Sequence, residues 1–180
     1  TKIINLGFFY GSGKAKLQSE LSVSKQKAEE LFSIYHNKVP FVKSLMNSVS
    51  NRAQQRGQIR TLLGRLCRFH LWEPNQFGIH KALPFDQARQ EYGPGIKRAY
   101  TYKALNKLIQ GSAADMTRKS MLELYKEGIV AHIQVHDELD ISVENDTKAK
   151  RIIEIMESAV ELEIPNKVDY ESGKNWGDIK

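Results

Sequence analysis

Apolar residues recur at helical spacing over several stretches of the chain and alternate at period two over shorter ones. Ala28, Leu31, Phe32 and Tyr35 fall on one face of a helix that Ser24 is placed to cap and that runs to about His36. Before it, residues 1–10 read as helix without a preceding cap. Gly11-Ser12-Gly13 breaks that helix, and residues 14–21 form a short helical stretch. Pro40 suits the first turn of a further helix reaching Arg56, which Gly57 stops. Leu105, Leu108, Ile109, Ala113, Met116, Met121, Leu124 and Tyr125 mark a long helix over about 104–126, ended by Gly128. Asp146 is placed to cap a last helix with Ile152, Ile155, Met156, Ala159 and Val160 inward and Pro165 as its stop.

Period-two alternation predicts the strands. Residues 58–63 and 66–71 read as strands joined by a turn at Gly64-Arg65, whereas residues 72–95, with three of the five prolines, read as irregular. Ile133 and Val135 alternate with polar residues, as do Leu139, Ile141 and Val143, on the two sides of His136-Asp137-Glu138. That pattern predicts a β-hairpin with a three-residue break at its tip. A short strand over 167–171 leads to Trp176. The expected class is α+β, with helices packed on one face of an antiparallel sheet.

Charge changes this picture. A net charge of +6 with a pI near 9.3 fits polyanionic partners. A single cysteine, Cys67, excludes an intramolecular disulfide and a cysteine-rich zinc site and fits a reducing compartment. No apolar run reaches the length of a membrane span, so no membrane partner is expected, and residues 1–5 show no signal peptide.

Four constellations carry candidate chemistry, each with a plainer reading beside it. Two adjacent carboxylates and an imidazole at a hairpin tip, His136, Asp137 and Glu138, suit metal-dependent phosphoryl transfer, or are a polar surface turn. Lys2, Leu6 and Tyr10 share a helix face, where a cation and an aromatic suit a triphosphate and a base, or are a solvated lysine and a core tyrosine. Arg52, Arg56, Arg60, Arg65 and Arg68 lie within seventeen residues and suit backbone phosphates, or form a solvated face. Asn106 and Gln110, at i and i+4, suit minor-groove acceptors, or a polar helix surface. Gly11-Ser12-Gly13-Lys14 is not a phosphate loop. Gly7 precedes Gly13 by six residues where five are needed, and Ala15 stands where Ser or Thr should be.

Taken together these pieces resemble one family. Residues 2–11, Lys2-Ile3-Ile4-Asn5-Leu6-Gly7-Phe8-Phe9-Tyr10-Gly11, resemble the second half of the fingers O-helix motif of family A DNA polymerases, the DNA polymerase I type. Asn106 to Asp115 resembles the family's next landmark, and Val135-His136-Asp137-Glu138 its palm motif C. Leu63-Gly64-Arg65 and Asn175-Trp176-Gly177-Asp178 match as well, and the wording around Tyr102-Lys103-Ala104-Leu105-Asn106 is phage-like.

The resemblance implies a fold and a set of roles. Residues 1–57 would be a helical portion of the fingers and residues 58–180 a palm portion carrying the motif C hairpin, together an incomplete polymerase right hand. The implied activity is template-directed nucleotidyl transfer from dNTP to a primer 3′-hydroxyl with two Mg2+ ions. Asp137 would hold metal with Glu138 nearby, and His136 would contact the primer terminus. Lys2 would meet the triphosphate and protonate the pyrophosphate. Tyr10 would guard the templating position, and Asn106 and Gln110 would touch the minor groove of primer-template DNA. Leu6 stands where the family usually has Phe or Tyr, which bears on dideoxynucleotide rejection. Tyr102 replaces a frequent arginine. The implied location is cytoplasmic, in a bacterial host if phage-encoded.

The family's motif A, with the other metal-holding aspartate, and the O-helix arginine lie upstream of the motifs seen here. The expectation is therefore that an upstream segment carrying motif A is a partner and that this chain alone is inactive. An intein junction, a split gene or a fragment would each explain a start at Thr1. A non-catalytic DNA-binding remnant and a metal-dependent nuclease built on His136, Asp137 and Glu138 are the rival readings.

Overall fold

The computed structural model describes residues 7, 14–76, 78 and 80–179. Apart from Gly7, which is helical, the helix expected over 1–10 and the break at 11–13 lie outside the described residues. The chain divides into two compact units, Thr1–Gly111 and Ser112–Lys180.

In the first unit, α1 (Lys14–Leu21) and α2 (Lys25–Lys38) bury Leu17 and Ala28, with Leu21, Val23, Leu31, Phe32 and Tyr35 packed around them. Ser24 caps α2 as its sequence predicts: its side-chain oxygen accepts from the Lys27 N–H at 3.2 Å. Pro40 opens α3 (Pro40–Arg56), where a missing N–H costs nothing. Gly57 closes it in the left-handed region at φ 66°, its N–H on the Ala53 carbonyl at 2.9 Å.

The following hairpin is shorter than its alternation predicts. β1 (Gln58–Arg60) pairs with β2 (Leu66–Arg68), Ile59 opposite Cys67, and Leu71 belongs to the next sheet. The intervening residues close a turn through side-chain and backbone bonds. The Thr61 hydroxyl accepts from the Arg65 N–H at 3.0 Å, and the Thr61 N–H donates to the Arg65 carbonyl at 2.9 Å. Ile59 packs with Val49, Ala53, Phe69 and Ala104 in a core that Cys67 and Leu108 flank.

Residues 72–95 are not irregular. β3 (Leu71–Pro74) takes β4 (Leu83–Pro84) on one side and β5 (Ile96–Arg98) on the other, all antiparallel, and α4 (Phe85–Tyr92) follows β4 directly. Strands of two to four residues are too short to show alternation, and Pro74 and Pro84 sit at strand ends, where the lost donor is tolerated. The signal for α4 was Pro84 just before it and Gly93 just after it, the latter at φ 75°.

α5 (Ala104–Lys126) contributes its first eight residues to the first unit and the rest to the second. Its apolar pattern holds at Leu105 and Leu124, both buried, but not at Ala113 or Tyr125, which are exposed. The polar residues Asp115, Thr117 and Ser120 are buried on the helix instead. Gly128, at φ 75°, ends the turn after it.

The second unit closes on Leu124, Ile129, Ile152 and Ile155, with Leu139, Ile141 and Met156 against them. β6 (Ile133–Val135) and β7 (Glu138–Asp140) form its hairpin. α6 (Asp146–Ser158) is capped by Asn145, not Asp146, and ends seven residues before Pro165, so Ala159 and Val160 lie beyond it. No strand forms over 167–171: the Val168 N–H donates to the Glu157 carboxylate at 3.1 Å rather than to a ladder. Trp176 lies in a 3-10 turn, Trp176–Asp178, and is exposed. The class is α+β as predicted, but among the described residues the strands fall in three small antiparallel sheets rather than one. Among those residues no helix is long and apolar enough to cross a membrane.

Candidate functional site

The candidate residues fall in separate units, and each group has its own construction. In the second unit, β6 and β7 pair Ile133 with Asp140, Gln134 with Leu139 and Val135 with Glu138. The break at the tip is thus two residues, His136 and Asp137, and not three, because Glu138 already sits in β7. The His132 N–H extends the ladder to the Asp140 carbonyl at 2.9 Å. His136 takes φ 54°, a left-handed conformation that costs a non-glycine residue on the order of 1 kcal/mol. The Gln134 side-chain amide donates to the His136 carbonyl and braces the turn.

This geometry presents the carboxylates to solvent. Leu139 and Ile141 anchor β7 in the core of the unit, so Glu138 and Asp140, one position out of phase, project from the opposite face. His136, Asp137 and Glu138 are all exposed. Adjacent turn and strand positions send their side chains in different directions. Among the described residues no three His, Cys, Asp or Glu side chains converge as a metal centre would require. The Asp137 carboxylate takes no hydrogen bond among those residues and stands open as a hard oxygen donor.

In the first unit, Asn106 and Gln110 are exposed, one turn apart on the outer face of α5. Their helix is seated by a close approach. A Cβ on Gly111 would lie 2.9 Å from Thr61 Cγ2 and 3.3 Å from an Arg65 guanidinium nitrogen, and Arg65 donates to the Gly111 carbonyl at 2.8 Å. Sequence reasoning did not single out Lys103, which is exposed in the 3-10 turn Thr101–Lys103 just before α5. Its ammonium lies 5.1 Å from the Tyr100 ring and 5.6 Å from the Tyr102 ring, and Tyr102 is 66% exposed. Its place beside Tyr100 and Tyr102, three residues before Asn106, was the available signal.

The arginine cluster divides by use. Arg60 donates to the Gly64 carbonyl at 2.8 Å, so it and Arg65 build the β1–β2 turn. Arg52, Arg56 and Arg68 are exposed. Arg98, outside the cluster, fastens the unit internally: it donates to the carbonyls of Gln54 and Phe69 at 3.2 and 2.9 Å and lies 4.5 Å from the Trp72 ring. Lys2, Leu6 and Tyr10 lie outside the described residues.

The comparisons with known proteins bear on both groups. The family model described as DNA polymerase family A matches residues 1–178. The chain is 35% identical over 151 residues to a DNA-directed DNA polymerase of Pseudomonas phage M6, covering 84% of this chain and 20% of the relative. It is 32% identical over 188 residues to DNA polymerase I of Bacillus caldotenax, covering 99% of this chain and 20% of that one. The chain therefore spans about a fifth of the length of these curated relatives. Among solved structures it resembles the POL domain of Pol1 from M. smegmatis, in complex with DNA primer-template and dNTP. That match has a TM-score of 0.69 and 26% identity over 91% of this chain and 28% of that one.

Proposed function

This chain belongs to DNA polymerase family A, and from that premise we propose that it supplies fingers and palm residues to a polymerase that extends a DNA primer on a DNA template. We assign residues 1–57 to the fingers and 58–180 to the palm. The observation that carries the reading is the hairpin tip: Asp137 is held at a two-residue turn, exposed, with its strand anchored in a buried core.

The chemistry follows from what the tip offers. Magnesium is commonly held by one or two carboxylates together with substrate phosphates and water. The open Asp137 carboxylate fits one side of such a site, with Glu138 beside it. When bound, the metal supplies Lewis-acid stabilisation of charge developing on phosphoryl oxygens. The second carboxylate comes from an upstream segment carrying motif A, which we propose as the functional partner of this chain.

The chain's own residues then bind and orient. His136, raised on the turn, contacts the primer terminus, whose 3′-hydroxyl gives its proton to water as its oxygen bonds to the α-phosphorus of the incoming dNTP. The bond from that phosphorus to pyrophosphate breaks, and Lys2 gives the departing pyrophosphate a proton. Leu6 and Tyr10, four and eight residues beyond Lys2 in sequence, line the sugar and the templating position. Asn106 and Gln110 hold the minor groove of the duplex. The neighbour's primer-template and dNTP support these partners for this chain. The phage and bacterial relatives support a bacterial cytoplasm as its place of work.

Primer extension by the intact polymerase with magnesium tests the reading. Asp137→Ala should lose nucleotide addition by about a hundredfold or more, as removal of a transition-state charge stabiliser does, while primer-template affinity holds. Extension near the wild-type rate by that variant would overturn the assignment.

A further inference from the structure

Gly111 and Arg65 are fitted to each other across the first unit. The helix presents no side chain at Gly111, and the β1–β2 turn fills the space: Thr61 Cγ2 lies 2.9 Å from where a Cβ would stand and Cys67 Sγ 3.9 Å. Into the same gap Arg65 places a guanidinium nitrogen, 2.8 Å from the Gly111 carbonyl. The turn that holds Arg65 is itself fixed. The Thr61 hydroxyl takes the Arg65 N–H at 3.0 Å, the Gly64 N–H donates to the Thr61 carbonyl at 3.0 Å, and Arg60 closes on the Gly64 carbonyl at 2.8 Å. A carbonyl inside a helix already faces the N–H four residues on. A second donor there is not needed to satisfy it, so its effect is to fasten the helix at that point.

The fastened point is one residue past Gln110 and five past Asn106. We infer that Arg65 is a positioning residue for the nucleic-acid face of α5: through Gly111 it sets the rotation and height at which Gln110 presents its amide to duplex DNA. The inference rests on the proposed reading of α5 as the surface that meets the duplex. Amide side chains discriminate by geometry, so a small turn of the helix loses the hydrogen bond without changing any charge. Gly111 acts in the same device, since a methyl there would push the turn off the helix. A guanidinium suits this role better than an ammonium, because its planar fork fixes the direction of the donor on the Gly111 carbonyl.

The test is a double-variant cycle in the intact polymerase, reading primer-template affinity at several salt concentrations alongside thermal stability. Arg65→Ala should weaken binding about fivefold, the scale of one lost hydrogen bond. Arg65→Ala with Gln110→Ala should be no weaker than Gln110→Ala alone, because Arg65 acts through that amide. The salt dependence should stay at its wild-type slope. Arg65→Lys should restore only part of the loss, and Gly111→Ala should reproduce it if Arg65→Ala fails to fold. Additive losses, or a salt slope reduced by about one, would make Arg65 a direct phosphate contact and overturn the inference. A fall in melting temperature with unchanged affinity would make it purely structural and overturn it equally. No loss on Gln110→Ala alone, in a polymerase that binds DNA, would instead overturn the reading of the α5 face on which the inference stands.

Discussion

The side-chain oxygen of Asn145 lies 2.9 Å from the backbone N–H of Lys148 and accepts its proton. Asn145 is in an extended conformation, φ −164° and ψ 167°, and α6 starts at the next residue. The bond satisfies one of the N–H groups that the first turn cannot satisfy internally. Asn145→Ala should therefore cost about 1 kcal/mol of stability, while Asp146→Ala, which removes only a first-turn charge, should cost less, about 0.5 kcal/mol. Urea unfolding of both variants checks the order. An Asp146 effect larger than the Asn145 effect would contradict the cap.

That pair also marks the limit of what the sequence disclosed. Asn and Asp are nearly equal as caps, so Asn145-Asp146 signals a helix start without deciding which residue makes it. Where one residue type stood alone, as with Ser24, Pro40 and Gly57, the boundary was legible to the residue. The hairpin was legible from the alternation of Ile133, Val135, Leu139 and Ile141. Its turn was not, because His136 takes a conformation that glycine or asparagine would have announced and histidine does not. The sheet of β3, β4 and β5 was hidden because its strands are too short for a period to repeat, and its cohesion comes partly from Arg98, whose carbonyl partners at Gln54 and Phe69 are far away in sequence. The placing of Asn106 and Gln110 on a helix and of His136, Asp137 and Glu138 at a hairpin tip was readable. The seating of α5 on Arg65 was not, since a contact across 46 residues leaves no local periodicity.

Acid should loosen the second unit. Glu127 is held below its ordinary value of 4.5 by hydrogen bonds from Arg151, which reaches it from α6. Glu157 is held low first by the Val168 N–H and then by Lys167. Carboxyls lowered in the folded state stabilise it fully above their unfolded value, and that contribution is lost as pH falls through the lowered one. Stability should thus be flat from neutrality to about pH 5 and fall below 4.5. Glu127→Gln should lower the urea midpoint at pH 7 and converge on wild type in acid, once Glu127 is protonated in both the folded and the unfolded state. Parallel curves for the two proteins into acid would show that the Arg151 contact contributes nothing.

The start of α5 and the turn before it offer two kinds of group that salt separates. Lys103, in the 3-10 turn just before α5, carries a charge, whereas Asn106 and Gln110, one turn apart on α5, carry amides. A lysine on a phosphate releases counterions, so Lys103→Ala in the intact polymerase should flatten the salt dependence of primer-template binding by about 0.9 in the log–log slope. An amide in the minor groove releases none. Asn106→Ala should weaken binding at every salt concentration by the same factor, about fivefold, with the slope unchanged. Minor-groove acceptors are placed alike in all correctly paired bases, so this loss should not depend on sequence. It should depend on pairing, because a mismatch at the primer end displaces the acceptor. Asn106→Ala should then slow extension of matched ends more than of mismatched ends and narrow the gap between them. Single-turnover extension from the two kinds of primer measures that gap directly. A gap as wide in the variant as in the wild type would mean that Asn106 does not sense the duplex, and the face would be a solvated helix surface.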